Sequence, residues 1–239
     1  MHDERGNIYE ESAYLYDDYF NFLDYPAASR KLYASIQHLN PNAKTLLDVA
    51  CGTGKHLECL REHFQVEGLD INPRLLEIAR KRCPGVRFHL GNMMDFSLDD
   101  KFDVVTCLFA SIAFLKALNN VELAVACMAR HLRPGGILVV EPWVSPEKCW
   151  TNKVTADFTN EPELKIVRMY THEIEGRLSV FDINYLVGTP QGVTYFVERE
   201  ELGLFTHEEY VQAFEKAGLE VSHDEKGLFG YGLYIGVRQ

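Results

Sequence analysis

"LLDVACGTGKH", residues 46–56, decides the fold. Apolar residues run into a turn carrying Gly52 and Gly54, and a helix-like stretch follows. Strand, glycine turn and helix in that order open a doubly wound α/β sheet. The alternation continues outward. "TLLDV" (45–49), "VEGLD" (66–70), "VRFHL" (86–90), "FDVVTCLF" (102–109) and "ILVVEP" (137–142) read as strands. Helices are predicted between them over about 55–64, 73–82 and 119–132, the second opened by Asn72 as N-cap and Pro73 at its first position. Upstream, residues 8–23 and 26–39 read as two helices parted at Pro26. After Trp143 the period falls to two in "KIVRMYTHEI", "RLSVFDINYLV" and "VTYFVERE", which predicts an antiparallel insert of about three strands within 154–203. "THEEYVQAFEKAGLE" then opens with Thr206 and Glu209 in capping-box spacing and closes on Gly218, before strands at 219–224 and 232–237.

Composition narrows the partners. The 239 residues are 46% hydrophobic and 25% charged, an ordinary globular balance with enough chain for one sizeable core. A formal net charge of −11 repels nucleic acid and anionic lipid, and the densest basic stretch, "ARKRC" (79–83), does not offset it. Six Cys (51, 59, 83, 107, 127 and 149) form no C-x-x-C pair and read as reduced thiols used as small apolar residues, with no metal site. "MHDERGNIYEES" has no apolar segment of the signal-peptide kind, and "VVTCLFASIAFL" (104–115) is too short to span a bilayer. A cytoplasmic protein acting on a small molecule is expected, as a monomer or homodimer, with no nucleic acid or membrane partner.

Three ligands compete for the glycine turn. A nucleotide loop of the form G-x-x-x-x-G-K-[ST] needs a first Gly where Val49 stands and a Ser or Thr where His56 stands. A dinucleotide fingerprint needs a third Gly where Leu57 stands. S-adenosylmethionine has no pyrophosphate to cradle. It needs a close backbone approach at Gly52 and Gly54, and a carboxylate at the end of the next strand for its ribose hydroxyls. Asp70 stands at that position. It can also be read as a cap of the following helix.

At this point the sequence resembles the class I S-adenosylmethionine-dependent methyltransferases. Asp48, Ala50, Gly52 and Gly54 match their glycine-rich motif, with Ala50 in place of its usual first Gly, and Asp70 matches the ribose-binding acid. "GNMMDF" (91–96) matches the adenine-clasping segment, with Asn92 for the usual Asp and Met93 packing on the ring. "LFASIAFL" (108–115) and "LRPGGILVVEPW" (132–143) match the segments after the fourth strand and through the fifth. The resemblance also implies cofactor contacts at Ile71 and Leu108. It implies a Rossmann-like seven-stranded sheet of order 3-2-1-4-5-7-6, the last strand antiparallel, in one domain over 1–239. Within it, residues 1–40 form a helical lid, 44–142 the cofactor core, 143–203 the β insert, and 204–239 the final helix and strands.

A narrower likeness spans nearly the whole chain. "VEPWVSPE" (140–147), the insert, "LFTHEEYVQAFEKAGLEV" (204–221) and "GLFGYGLYIGV" (227–237) resemble the N,N-dimethyltransferases of thymidine-diphosphate amino sugars, the desosamine and mycaminose type. The resemblance implies Tyr16 over the cofactor, and Tyr9 and Tyr25 in the active site. It places Glu141 and Trp143 beside the substrate at the exit of strand 5. Tyr9, Tyr25 and Glu141 are the candidates to accept or relay the acceptor's proton. Two positions depart from the family. Phe114 stands where a His or Tyr neighbours the acceptor amine, and Tyr231 stands where an Arg meets the diphosphate. Losing a bidentate cation weakens phosphate binding. Three readings follow: an amino-sugar N-methyltransferase of secondary metabolism, a methyltransferase for another small acceptor (heterocycle, amino acid or hydroxyl), and a cofactor-binding protein without chemistry.

Overall fold

The computed structural model describes residues 11–239. The elements of the first half are α1 (Tyr16–Tyr19), α2 (Tyr25–Leu39), β1 (Thr45–Val49), α3 (Lys55–Leu60), β2 (Gln65–Asp70), α4 (Pro73–Arg82), β3 (Arg87–Leu90), β4 (Phe102–Cys107), α5 (Leu118–Arg130) and β5 (Leu132–Val140). Four long strands follow: β6 (Val154–Asn160), β7 (Lys165–Glu175), β8 (Leu178–Thr189) and β9 (Gly192–Gly203). The chain ends with α6 (His207–Lys216), β10 (Leu219–Asp224) and β11 (Leu233–Arg238).

The main sheet has the order β10-β11-β5-β4-β1-β2-β3, with β11 antiparallel to β5 and to β10. This is the expected 3-2-1-4-5-7-6 arrangement. Alternate residues of its strands supply two cores. Leu47, Val49, Leu69, Val105, Leu138 and Val140 pack with α5 and α6. Leu46, Val66, Val104, Ile137 and Val139 pack with α2, α3 and α4. Burial on both faces explains why these strands read as continuous apolar runs. Between β1 and β4 the winding reverses, and open α/β sheets bind ligands at such a switch, beyond the carboxyl ends of the strands.

The insert is a separate antiparallel sheet of order β6-β7-β8-β9, four strands rather than three. The unexpected strand, "VTADFTN", carries Thr155, Asp157 and Thr159 toward the buried side, while Val154 and Phe158 are exposed. Its polarity is inverted relative to a normal half-buried strand, so alternation does not mark it. The inner face of the insert forms a third core with the N-terminal segment: Leu15, Tyr19, Phe181, Ile183, Tyr185 and Leu202. That segment is not the continuous helix expected over 8–23. A 3₁₀ turn at Ser12–Leu15 leads into the single turn of α1. Partners on the insert explain the irregularity, because Glu198 accepts from the amides of Glu11 (2.8 Å) and Ser12 (2.9 Å), and Thr159 donates to the Asp18 carbonyl (3.0 Å).

Two other boundaries moved. α3 stops at Leu60, and β5 begins at Leu132 because "RPGG" bulges out of an otherwise continued pairing with β4.

Candidate active site

The glycine turn joins β1 to α3. Ala50, Gly52 and Gly54 all take left-handed backbone angles, φ +59°, +54° and +79°. Such angles suit glycine and strain an alanine. A side chain on Gly52 would meet nothing within 4 Å, so the turn presents bare backbone there. A Cβ on Gly54 would stand 3.3 Å from that of Ala79, so this glycine lets α3 begin against α4.

Asp70 ends β2 at 5% exposure, and its carboxylate accepts from Gly52 N–H (2.8 Å) and Asn72 N–H (2.7 Å). Burial raises its pKa, and the amides of Asn72, Gly52 and Ile71 oppose the rise. The capping of α4 falls to Asn72, which accepts from Arg74 and Leu75, so Asp70 is not the helix cap. Next to it, Ile71 is 40% exposed. Asn92 accepts from Met94 N–H (3.0 Å) through the side-chain oxygen expected at the adenine, while Met93 lies half-buried against the core. These residues present apolar side chains and hydrogen-bonding groups around bare backbone, the chemistry a nucleoside cofactor without a pyrophosphate requires.

Two residues expected at the cofactor have core side chains. Asp48 is buried and accepts from the Thr106 hydroxyl (2.7 Å), with burial pushing its pKa up to about 7. Leu108 packs among Leu46, Val104 and Leu233. A carboxylate or methyl group beneath the turn supports it from below.

Glu141, expected as a proton acceptor, is fully buried. Its Oε2 accepts from Phe109 N–H (2.9 Å), and its Oε1 from Leu228 (3.2 Å) and Phe229 (3.0 Å). Burial raises its pKa to about 7 against these amides. The carboxylate therefore ties the loop after β4 and the loop before β11 to the end of β5. That arrangement makes it a positioning group. Phe109 itself holds a left-handed backbone (φ +51°), and its ring lies 5.5 Å from that of Phe229.

Tyr25, on the first turn of α2, is 7% exposed. Its ring packs edge-on against His56 at 5.0 Å and Phe229 at 6.1 Å. Burial, with the nearby Asp17, pushes its phenol well above the usual range, so it stays protonated. Tyr16 is likewise raised by burial, and its ring meets those of Tyr19 and Phe20 edge-on. Tyr9 lies outside the described residues.

The expected substrate residues gather beside the insert. Trp143 and Tyr231 have ring centroids 5.0 Å apart, and Trp143 donates from its indole to Ser179 (3.1 Å). Phe114 packs half-buried against the core between lid and insert. His131 and His207, read as structural, are so: His131 accepts from Leu98 N–H (3.1 Å), and His207 pairs with the Tyr234 hydroxyl (3.1 Å).

Several residues here are not singled out by the sequence. Asp17 on α1 accepts from the Thr53 hydroxyl of the glycine turn (2.7 Å) and pairs with Arg82 of α4, which also donates to the Thr53 carbonyl. This latch closes the N-terminal segment onto the turn. Arg168 is buried on the inner face of the insert, its guanidinium 5.1 Å from the centroid of Tyr19 and 4.9 Å from that of Tyr170. It pairs with Asp157 at 3.2 Å. Arg168 shares the parity of the buried Ile166 and His172 on β7, but alternation by itself assigns a charged residue there no partner.

Comparisons with known proteins agree with this fold. A family model described as a methyltransferase domain matches residues 46–136. A dTDP-4-amino-2,3,4,6-tetradeoxy-D-glucose N,N-dimethyltransferase of Saccharopolyspora spinosa is 39% identical over 90% of this chain and 87% of its own length. The crystal structure of Streptomyces venezuelae DesVI superposes with a TM-score of 0.91 at 37% identity, covering 96% of this chain and 99% of that one. CalS10, an amino pentose methyltransferase of Micromonospora echinaspora whose structure contains S-adenosylmethionine, gives 0.86 at 38% identity over the full length of both. Fold and site thus define an S-adenosylmethionine-dependent class I methyltransferase. Within that class, the chain belongs to the family of the dTDP-amino-sugar N,N-dimethyltransferases.

Proposed function

We propose that this enzyme methylates the amino group of a small amino sugar, carried on a nucleoside diphosphate, in the cytoplasm as a step of secondary metabolism. The observation that carries the reading is the presence in one fold of the Asp70 turn and of an aromatic cluster at the exit of β5, where Trp143 meets Tyr231 and Phe181 of the insert. Flat apolar rings at the exit of β5 suit the stacking of a sugar or pyrimidine ring.

The bound cofactor supplies a methyl group already activated on a sulfonium, so the protein's work is orientation and exclusion of water. Gly52, Gly54 and Ala50 offer backbone, and Asp70 takes the ribose hydroxyls. Ile71 and Met93 flank the adenine. Asn92 has one lone pair left for the adenine amino group after Met94. Tyr16 covers the site as part of the lid. Tyr25, held protonated by burial, serves as a hydrogen-bonding wall of the acceptor pocket. Glu141 acts through the two loops it holds.

One observation favours a second reading. Tyr231 presents no charge to a diphosphate, which points to an amine acceptor without a nucleotide. Calorimetric titration with S-adenosylhomocysteine followed by thymidine diphosphate separates the two. Binding of both supports the nucleotide sugar. Binding of the first alone selects the free amine. Binding of neither overturns the site.

A further inference from the structure

His56 is explained by none of the roles above. It occupies the place where a nucleotide loop would carry its Ser or Thr, two residues beyond Gly54 in the first turn of α3. Its side chain is 7% exposed, and neither ring nitrogen has a hydrogen-bond partner among the described residues. A leucine or phenylalanine would fill the same volume without burying two polar atoms unpaired, which proteins avoid.

The surroundings locate the missing partner. The imidazole lies edge-on to Tyr25 at 5.0 Å and tilted on Phe229 at 6.0 Å. The amides of Phe229 and Phe109 are both held by Glu141, and Phe109 in turn meets Phe20 of the lid segment at 5.0 Å. His56 therefore stands, with both ring nitrogens closed off from solvent, among the rings of an aromatic box that joins the glycine turn, the ends of β4 and β5, and the lid. We propose that His56 is a substrate-binding residue, whose neutral imidazole accepts a hydrogen bond from an N–H of the acceptor amine in this box.

Three features support that assignment, which rests on the amine acceptor of the preceding reading. Burial alone depresses the imidazole pKa to about 4, so at neutral pH it carries a free acceptor nitrogen and no charge. A group so weakly basic binds and orients the amine and does not take its proton. The walls nearest the ring, Tyr25 and Phe229, are uncharged, and an ammonium entering between them would exchange water for apolar ring faces, the carboxylates of Asp17 and Glu141 being engaged by Thr53, Arg82 and backbone amides. The box thus selects the neutral amine, and accepting its N–H leaves the nitrogen lone pair free to react. Finally, Phe114 stands where the family resemblance places a polar neighbour of the amine. The polar contact is supplied instead from the first turn of α3.

The test uses the full chain with imidazole-selective ¹⁵N–¹H correlation spectra. S-adenosylhomocysteine is added first, then dTDP-4-amino-2,3,4,6-tetradeoxy-D-glucose. The His56 ring signals are expected to stay in place with the first ligand and to shift with the second. His56→Phe is expected to lower kcat/KM roughly ten- to a hundredfold while leaving S-adenosylhomocysteine affinity unchanged, and His56→Gln, which keeps an acceptor, to restore part of it. A shift on S-adenosylhomocysteine alone overturns the inference, because the ring then serves the cofactor. Binding of the amine without any response at His56 also overturns it while leaving the proposed function intact. Failure of the wild type to bind or methylate the amine overturns both. Should His56→Phe not fold, the wild-type spectra and His56→Gln still decide.

Discussion

Ala50 holds a left-handed backbone in the turn where its family usually has glycine. That conformation costs an L-residue roughly 1–2 kcal/mol, of which glycine's greater unfolded-state entropy takes back about 0.5–1. Ala50→Gly is therefore expected to raise stability by about 0–1.5 kcal/mol, read by urea unfolding; a loss shows that the methyl group packs. Asp70 gives the opposite case. Asp70→Asn replaces one acceptor oxygen with an NH₂ facing backbone donors at Gly52 and Asn72, and weakens any ribose contact. S-adenosylhomocysteine affinity should fall at least about tenfold by calorimetry, since charge-assisted bonds contribute roughly 1.5–3 kcal/mol each; unchanged affinity removes Asp70 from the site. The left-handed turn at Gly52 and Gly54 and the acid at the end of β2 were legible as local features, because a strand, a glycine turn and a helix follow one another in sequence. His56, Arg168 and Asp17 were not. Their roles come from Tyr25 and Phe229, from Tyr19 and Tyr170, and from Thr53 and Arg82, residues that only the fold brings near. Glu141 illustrates a further limit, because its position was legible but its three amide partners were not.

At the scale of elements, local signals predicted well wherever local energetics decide. The capping box at Thr206 is present, with the threonine accepting from Glu209 N–H and the Glu209 side chain from Thr206 N–H. Thr206→Ala should cost about 1 kcal/mol, a fall of roughly 2–4 °C in Tm for a chain of this size. A drop beyond that range in thermal unfolding would mean α6 is anchored by more than its cap. Prediction failed where tertiary partners decide. The N-terminal segment gave up a continuous helix because β6 and β9 satisfy its backbone, and β6 was hidden by its polar inner face. The latch of Arg82 on Asp17 belongs to the same scale, as it joins α4 to α1 across the glycine turn. Arg82→Ala should speed amide exchange over residues 16–20 and weaken S-adenosylhomocysteine binding roughly tenfold. Faster exchange with unchanged affinity would separate the lid from the cofactor.

At the scale of the molecule, the alternation of strands and helices was legible in the apolar runs, whereas the sheet order and its antiparallel last strand were implied by the family resemblance and are present in the fold. The fit of the insert onto the N-terminal segment was not legible, since its third core joins residues 15–20 to residues 164–202, far apart in sequence. The whole fold also carries desolvated acids, Asp48 and Glu141 buried and Glu200 half-buried. Burial raises the pKa of Asp48, Glu141 and Glu200 to about 7 each. An acid raised above its unfolded value stabilises the fold fully below the unfolded pKa, and that stability is lost as pH rises through the folded one. Stability should therefore decline from about pH 4.5 to 7. Asp48→Asn, which can still accept from Thr106, should flatten that decline in urea unfolding at pH 5 and 7; an unaltered slope would assign the effect to the other two acids. The segment from Glu11 to Phe20 has one further consequence. It is fastened on one side to the glycine turn through Asp17 and on the other to the insert through Glu198. If spent cofactor and methylated product leave past the same fastening, kcat should slow as solvent viscosity is raised; a kcat independent of viscosity would place the slow step elsewhere.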